Sequence, residues 1–375
     1  TTNSPAGGSE IAAITIKDDE APGEQLVSGD ELPAGVVQRN DRYGSSIINH
    51  LDVNGDGIND LIVGMPGATS STAGGAVQRT GAVLVSFINQ AGNVSASVEI
   101  NSETSNFNLS EGDAFGAAIC AVGDIDSNGV IDIAVGAPGS DVNKRGRTYK
   151  NAGRIYLLLL NADGTVIESK VLDANKINTL KFQKNYRLGA ALTSLDVDSD
   201  GDIDIVAGAP GGNNLPYGGK VPGSGEIAIL FLQNSTCVAA AQISSSELPA
   251  IALQKNERFG SALTVAIDGQ LLVGAPQRDF IDSTGTVAAD AGSVYSVQIG
   301  NAGQVIAAKR FEIETTLNLH HQNPFGASLA SLGDVLGNGE EQIIIGAMGD
   351  DLYGPAAGLL YSFTKDITGS LSAAT

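Results

Sequence analysis

The sequence predicts an all-β chain built from repeated four-stranded antiparallel units, arranged as the blades of a β-propeller. Three observations carry this. One motif recurs five times at a nearly fixed spacing, with Gly44, Gly116, Gly189, Gly260 and Gly326 separated by 72, 73, 71 and 66 residues. Each unit contains short β-branched runs bounded by Gly-, Asn- and Asp-rich turns. Gly is abundant at 48 of 375 residues, while aromatics make up 5% and Trp is absent.

The elements follow in order. Residues 1–34 read as the outer half of a unit, and the parallel between "DELPAGVVQRNDRYG" and the later "SELPAIALQKNERFG" sets that alignment. Unit 1 (35–100) opens with "RYGSSIINHLDVNGDGINDLIVGMPG", in which two strands flank an acidic loop. Its second half, "GAVLVSFINQAGNVSASVEI", reads as strand, turn, strand. Unit 2 (101–172) repeats this with "AFGAAICAVGDIDSNGVIDIAVGAPG" and "GRIYLLLLNADGTVIESKVL". Unit 3 (173–244) carries "RLGAALTSLDVDSDGDIDIVAGAPG" and "GEIAILFLQNSTCVAAAQIS". Unit 4 (245–313) is shortened to "RFGSALTVAIDGQLLVGAP", followed by "GSVYSVQIGNAGQVIAAKRF". Unit 5 (314–375) has "PFGASLASLGDVLGNGEEQIIIGAMG" and the run "GLLYSF". One such four-stranded sheet cannot bury both its faces, whereas packing blade on blade does so. The whole chain is therefore read as one propeller domain, 1–375.

The acidic loops carry the chemistry. Asp52, Asn54, Asp56 and Asp60 fall at positions 1, 3, 5 and 9 of the first loop, as in a calcium-binding turn, and Gly57 follows Asp56 where the backbone must bend sharply. An EF-hand would place Glu at position 12 and continue as a helix; here Val63 stands at that position, within a strand. The pattern recurs as Asp124, Asp126, Asn128 and Asp132, and as Asp196, Asp198, Asp200 and Asp204. Polar turn chemistry alone would favour Asp, Asn and Gly in one loop. Three in register point to oxygen ligation of a hard cation, with Ca²⁺ suited better than zinc or copper. Unit 4 lacks the loop and keeps only Asp268, so no ion is expected there. Unit 5 keeps Asp334, Asn338 and Glu340, a poorer set expected to bind weakly, because Leu336 and Gln342 stand where ligands belong.

Phe/Tyr-Gly at one end of each inner hairpin and Gly-Ala-Pro at the other resemble the FG-GAP repeat of integrin α-subunit propellers and of many secreted relatives. The resemblance covers residues 30–363. It implies calcium held between a blade's first two strands, with backbone carbonyls of Ile58, Val130 and Asp202 completing the three sites. It also implies an extracellular or cell-surface adhesion or ligand-binding module. Departures are Leu188 for the aromatic, Gly-Met-Pro at Gly64 and Gly-Ala-Met at Gly346. Rings of this family usually have seven blades, so five units and a half invite completion by a partner molecule or by more of a parent chain. The family places the connections between strands 2 and 3, and between blades, on the face opposite the calcium loops. On that face fall Lys144, Arg145, Arg147, Lys150, Lys176, Lys181, Lys184 and Arg187, an expected anion site for a protein carboxylate or an acidic glycan, flanked by Tyr149 and Tyr186.

The formal net charge of −21 argues against nucleic acid as a partner. No apolar run is long enough to cross a membrane as a helix. Cys120 and Cys237 do not make a disulfide framework, and sequons occur at Asn93, Asn108 and Asn234. His50, His320 and His321 form no recognisable catalytic constellation, and no nucleophile elbow, phosphate loop or zinc spacing is present. A carbohydrate-binding or polysaccharide-processing protein on the same ring is the alternative function, since fold does not fix function.

Overall fold

The computed structural model describes residues 15–16, 25–26, 32, 37–71, 77–105, 107–173, 177, 180–213, 221–248, 251–281, 287–311, 323–335, 337–348, 358–365 and 371–373. Among them there is no helix, and five four-stranded antiparallel sheets follow one another along the chain.

Blade 1 comprises Ser46–Leu51, Asp60–Met65, Ala82–Ile88 and Val94–Ile100. Blade 2 comprises Ala118–Gly123, Asp132–Ala137, Arg154–Leu160 and Val166–Leu172. Blade 3 is Ala191–Leu195, Asp204–Ala209, Glu226–Gln233 and Thr236–Ile243. Blade 4 is Ala262–Val265, Leu271–Ala275, Ser293–Ile299 and Val305–Arg310. Blade 5 is Phe325–Gly333, Glu341–Ala347, Leu359–Lys365 and Leu371–Ala373. In every sheet the spatial order is the chain order, and the first strands of successive blades touch one another. This is a five-bladed β-propeller, as the repeat predicts.

Burial explains the residue pattern. The second and third strands are sandwiched between neighbouring blades, so both of their faces are apolar, as in Asp132–Ala137 and Arg154–Leu160. Fourth strands lie at the rim and are mostly exposed or half-buried, as in Val166–Leu172. The core is accordingly a series of seams between blades. Val83 and Val85 of blade 1 pack with Ile133, Val135 and Tyr156 of blade 2, and equivalent seams join the later pairs. The third strand of blade 5 alternates instead of being buried throughout. One side of that blade is uncovered, with Leu360 at 74% and Met348 at 70% exposure.

Glycine sets the joint between blades. A Cβ on Gly64, Gly136, Gly208 or Gly274 would lie 1.9–2.0 Å from the carbonyl oxygen of Gly116, Gly189, Gly260 or Gly326 in the next blade. The two ends of the repeated motif thus meet across the seam, one blade's second strand against the next blade's first. Beside each contact, Phe115, Leu188, Phe259 and Phe325 are fully buried and donate backbone N–H bonds to Thr80, Ala152, Ser224 and Ala291 of the preceding blade.

Among the described residues at the N-terminus, Thr15–Ile16 pairs with Gln25–Leu26 as a two-stranded ribbon. Leu32 is buried against Met65, Ala82 and Leu84 of blade 1. The remainder of that half-unit lies outside the described residues.

Candidate metal centres

The inner hairpins of blades 1 to 3 turn through their acidic loops because each loop's own side chains fold the backbone. In blade 1, Asp52 accepts N–H bonds from Gly55, Asp56 and Gly57 at 2.7–3.1 Å. Asn54 accepts from Asp56 and Asp56 from Ile58. Blade 2 repeats this, Asp124 accepting from Asn128 and Gly129, and Asn128 accepting from Val130. In blade 3, Asp196 accepts from Gly201, Asp198 from Asp200, and Asp200 from Asp202.

The ninth residue of the loop has a second task. Asp60, Asp132 and Asp204 are 0–2% exposed. One carboxylate oxygen of each accepts the N–H of Val53, Ile125 or Val197 within its own loop, at 2.9–3.0 Å. The other accepts the N–H of Ile88, Leu160 or Leu232 on the third strand, at 2.9–3.0 Å. Each Asp therefore pins the loop to its own sheet. Desolvation pushes all three carboxyls above the usual range, opposed by those backbone bonds and reinforced by neighbouring aspartates. Spacing alone marks these residues as ligands; their clamp on the third strand is a contact made 28 residues away.

The carboxylates converge where an ion fits. Oxygen atoms of Asp124, Asp126 and Asp132 lie within 4.8 Å of one another, as do those of Asp196, Asp198 and Asp204. Asp196 Oδ1 is buried without a hydrogen-bond partner. A buried anionic oxygen with nothing to bond is costly unless a cation takes it. In the first loop Asn54 supplies an amide oxygen where the others have Asp126 and Asp198. All three donor sets are oxygen-only, which suits a hard divalent cation. Asp202, expected to offer its carbonyl, also accepts the N–H of Asn234 through its side chain at 3.2 Å.

Blade 5 keeps the loop's backbone bonds. Asp334 accepts from Asn338 and Gly339, and Asn338 accepts from Glu340. Gln342 takes the clamp position and accepts from Val335. Blade 4, without a loop, is held by an internal cation instead. Lys365 of blade 5 is 3% exposed. Its ammonium lies 2.6 Å from Asp268, in the blade 4 turn, and 3.5 Å from the buried Glu341. Glu341 also accepts the Ile267 N–H at 2.8 Å, tying the two blades together. Replacing Lys365 by Met should leave Glu341 buried without its counter-charge and cost about 3 kcal/mol. Urea denaturation would show this as a lowered midpoint; an unchanged midpoint would refute the strut.

The expected basic site forms only in part. Lys144, Arg145, Arg147 and Lys181 line one cavity with Tyr149 and Phe182. Lys150 is drawn away by an ion pair with Asp141, and Lys184 and Arg187 are not among the lining residues. Tyr186 does not flank the site, because it is fully buried and its hydroxyl donates to Glu226 at 3.1 Å. Lys176, His320 and His321 lie outside the described residues. Cys120 and Cys237 are free thiols. Among the described residues no helix is long and apolar enough to cross a membrane.

Comparison with known proteins agrees with the repeat and the propeller fold. The FG-GAP repeat profile matches residues 46–86 and 115–158. The chain is 32% identical to integrin alpha-V of Gallus gallus over 170 residues, 45% of this chain and 15% of that protein. It is 31% identical to phosphatidylinositol-glycan-specific phospholipase D of Bos taurus over 175 residues, 46% of this chain and 19% of the other. It is 30% identical to integrin alpha-PS5 of Drosophila melanogaster over 176 residues, 46% and 15% respectively. The chain thus spans less than a fifth of the length of these relatives. With the profile matched twice and the motif's two ends meeting at four successive seams, the chain carries FG-GAP repeats on a five-bladed β-propeller similar to the one these relatives share.

Proposed function

We propose that this chain is an extracellular ligand-binding or adhesion module whose blades 1, 2 and 3 are each stabilised by a bound Ca²⁺. The observation that carries the reading is the convergence of three carboxylate oxygens within 4.8 Å at the same loop positions of successive blades, one of them buried and unbonded. The residues that would hold the ions are Asp52, Asn54, Asp56 and Asp60; Asp124, Asp126, Asn128 and Asp132; and Asp196, Asp198, Asp200 and Asp204. Bound calcium would supply positive charge to ten ligand carboxylates and let each turn close without mutual repulsion. Asp334, Asn338 and Glu340 form a weaker fourth set.

Partly exposed loops of this kind suit the weak affinities of extracellular calcium modules, about 10⁻⁴–10⁻³ M. Such sites fill at extracellular calcium and stay empty at cytosolic levels, which supports a location outside the cell. The matched stretch is shared by relatives with different names, integrins and a phospholipase D. That supports a scaffold and binding role for the stretch itself, with its ligand on the face opposite the loops. Calorimetric titration of the chelator-treated chain tests the ion assignment. Calcium should bind at least about tenfold more tightly than magnesium, which prefers to keep its waters. Equal affinities, or a preference for zinc, would overturn it.

A further inference from the structure

The chain has 42 acidic against 21 basic residues, yet four of its cations surround one cavity of about 710 Å³ together with two aromatic rings. Two elements build it. The first is a ribbon in which Val142–Lys144 pairs with Arg147–Tyr149. It joins the second and third strands of blade 2, so it stands at the opposite end of that sheet from the Asp124–Asp132 loop. The second is the segment leading into blade 3, which carries Lys181 and Phe182.

Both walls are fixed from beneath. Val142 and Ala152 are fully buried and pack against Tyr149 and Phe182. The Lys181 N–H donates to Gln242 Oε1 at 3.0 Å, and Gln242 Nε2 donates back to the Lys181 carbonyl at 3.3 Å. Gln242 also donates to the Tyr186 hydroxyl at 2.7 Å, which in turn donates to the buried Glu226. A network anchored on the third and fourth strands of blade 3 thus positions the main chain that carries one of the cations.

The charges at the cavity differ from those beside it. Lys150 pairs with Asp141 and Arg154 with Asp173. Arg145, Arg147 and Lys181 form no ion pair among the described residues, and Arg147 lies over the Tyr149 ring, 5.1 Å from its centre. Arg145 sits at the ribbon's tip with φ 53°, followed by Gly146 at φ 77°. Two successive positive φ angles define a turn that favours Asn, Asp or Gly at its first position. Arg there costs about 1 kcal/mol in backbone strain, so local turn preference does not account for it.

We infer that this cavity binds an acidic polysaccharide, its uronate carboxylates or sulfates meeting Arg145, Arg147, Lys144 and Lys181 and its sugar rings lying against Tyr149 and Phe182. The volume falls within the range of about 300–1,000 Å³ that takes small organic ligands. Aromatic walls between cations suit a ligand with alternating apolar ring faces and anionic substituents. The acidic remainder of the protein favours a thin chain over a folded acidic partner. At physiological salt, repulsion is screened beyond about 8 Å, so a strand entering the cavity meets mainly its cations, whereas a docked protein would also cover acidic surface. The inference rests on the reading of the chain as a binding module, but not on ion occupancy of the loops.

Titration of the calcium-loaded full chain with a sulfated, uronate-containing hexasaccharide tests this, run at several salt concentrations beside a neutral hexasaccharide and a hexaglutamate peptide. Binding of the sulfated sugar should weaken as salt rises. The double reversal Arg145→Glu/Arg147→Glu should weaken it about tenfold or more, while Lys255→Glu/Lys309→Glu, an equal charge change elsewhere, should not. Arg145→Asn should weaken binding while leaving the melting temperature equal or higher, because it relieves the turn. Absent binding, equal losses in both double variants, or binding of the peptide as tight as that of the sulfated sugar would each overturn the assignment. Calcium titration of the same samples separates such a failure from a failure of the metal reading.

Discussion

Replacing Gly136 by alanine will open the seam between blades 2 and 3. The new methyl carbon would lie 2.0 Å from the Gly189 carbonyl oxygen, with the Gly189 carbonyl carbon 2.9 Å away. Neither side can move cheaply. Gly189 donates to Gly208, and its neighbour Leu188 donates to Ala152 across the seam, both at 3.0 Å. Relief would require one blade to shift bodily against a close-packed neighbour, at an expected cost of about 4–5 kcal/mol. Gly346→Ala is the control. It occupies the same motif position in blade 5, but the nearest atom to its new methyl is the Ser328 hydroxyl, which can rotate away. A loss of about 1 kcal/mol is expected there. Equal losses for the two variants in urea denaturation would contradict the account of the seam.

Calcium removal should have the larger total effect. A ligand that binds only the folded state stabilises it by about 2.7 kcal/mol per site at a hundredfold excess over Kd, so three sites give about 8 kcal/mol. For a chain of 375 residues this corresponds to a fall of about 10 °C in melting temperature when a chelator strips the ions. Magnesium at the same concentration should restore less of it. Blades 1 to 3 should lose protection first in hydrogen exchange, while the junction of blades 4 and 5, held by Lys365, Asp268 and Glu341, should be spared. An unchanged melting temperature after chelation would refute the stabilising role.

The sequence made the blades legible because their signals are local. The run at Ile155–Leu160 is strand-sized and apolar throughout, and the acidic loops mark the hairpins they close. Contacts between distant residues were not legible. Fixed glycines reveal a constraint, but not that Gly136 faces a carbonyl in the next blade. Nothing near Lys365 in sequence signals Asp268, 97 residues away. Tyr186 looks like a surface aromatic among lysines until Glu226 and Gln242 supply buried partners for its hydroxyl. The basic cluster was visible as a concentration of charge. Which of its members face the cavity depends on Asp141 capturing Lys150.

The number of calcium ions held per chain tests the central claim most directly. Equilibrium dialysis against calcium above the site affinities, followed by elemental analysis, should give about three ions per chain. The variant Asp124→Asn/Asp126→Asn should give about two, with the remaining sites unaffected because each loop lies in its own blade. A ratio below one in the parent chain, or an unchanged ratio in the variant, would contradict the assignment of calcium to these loops.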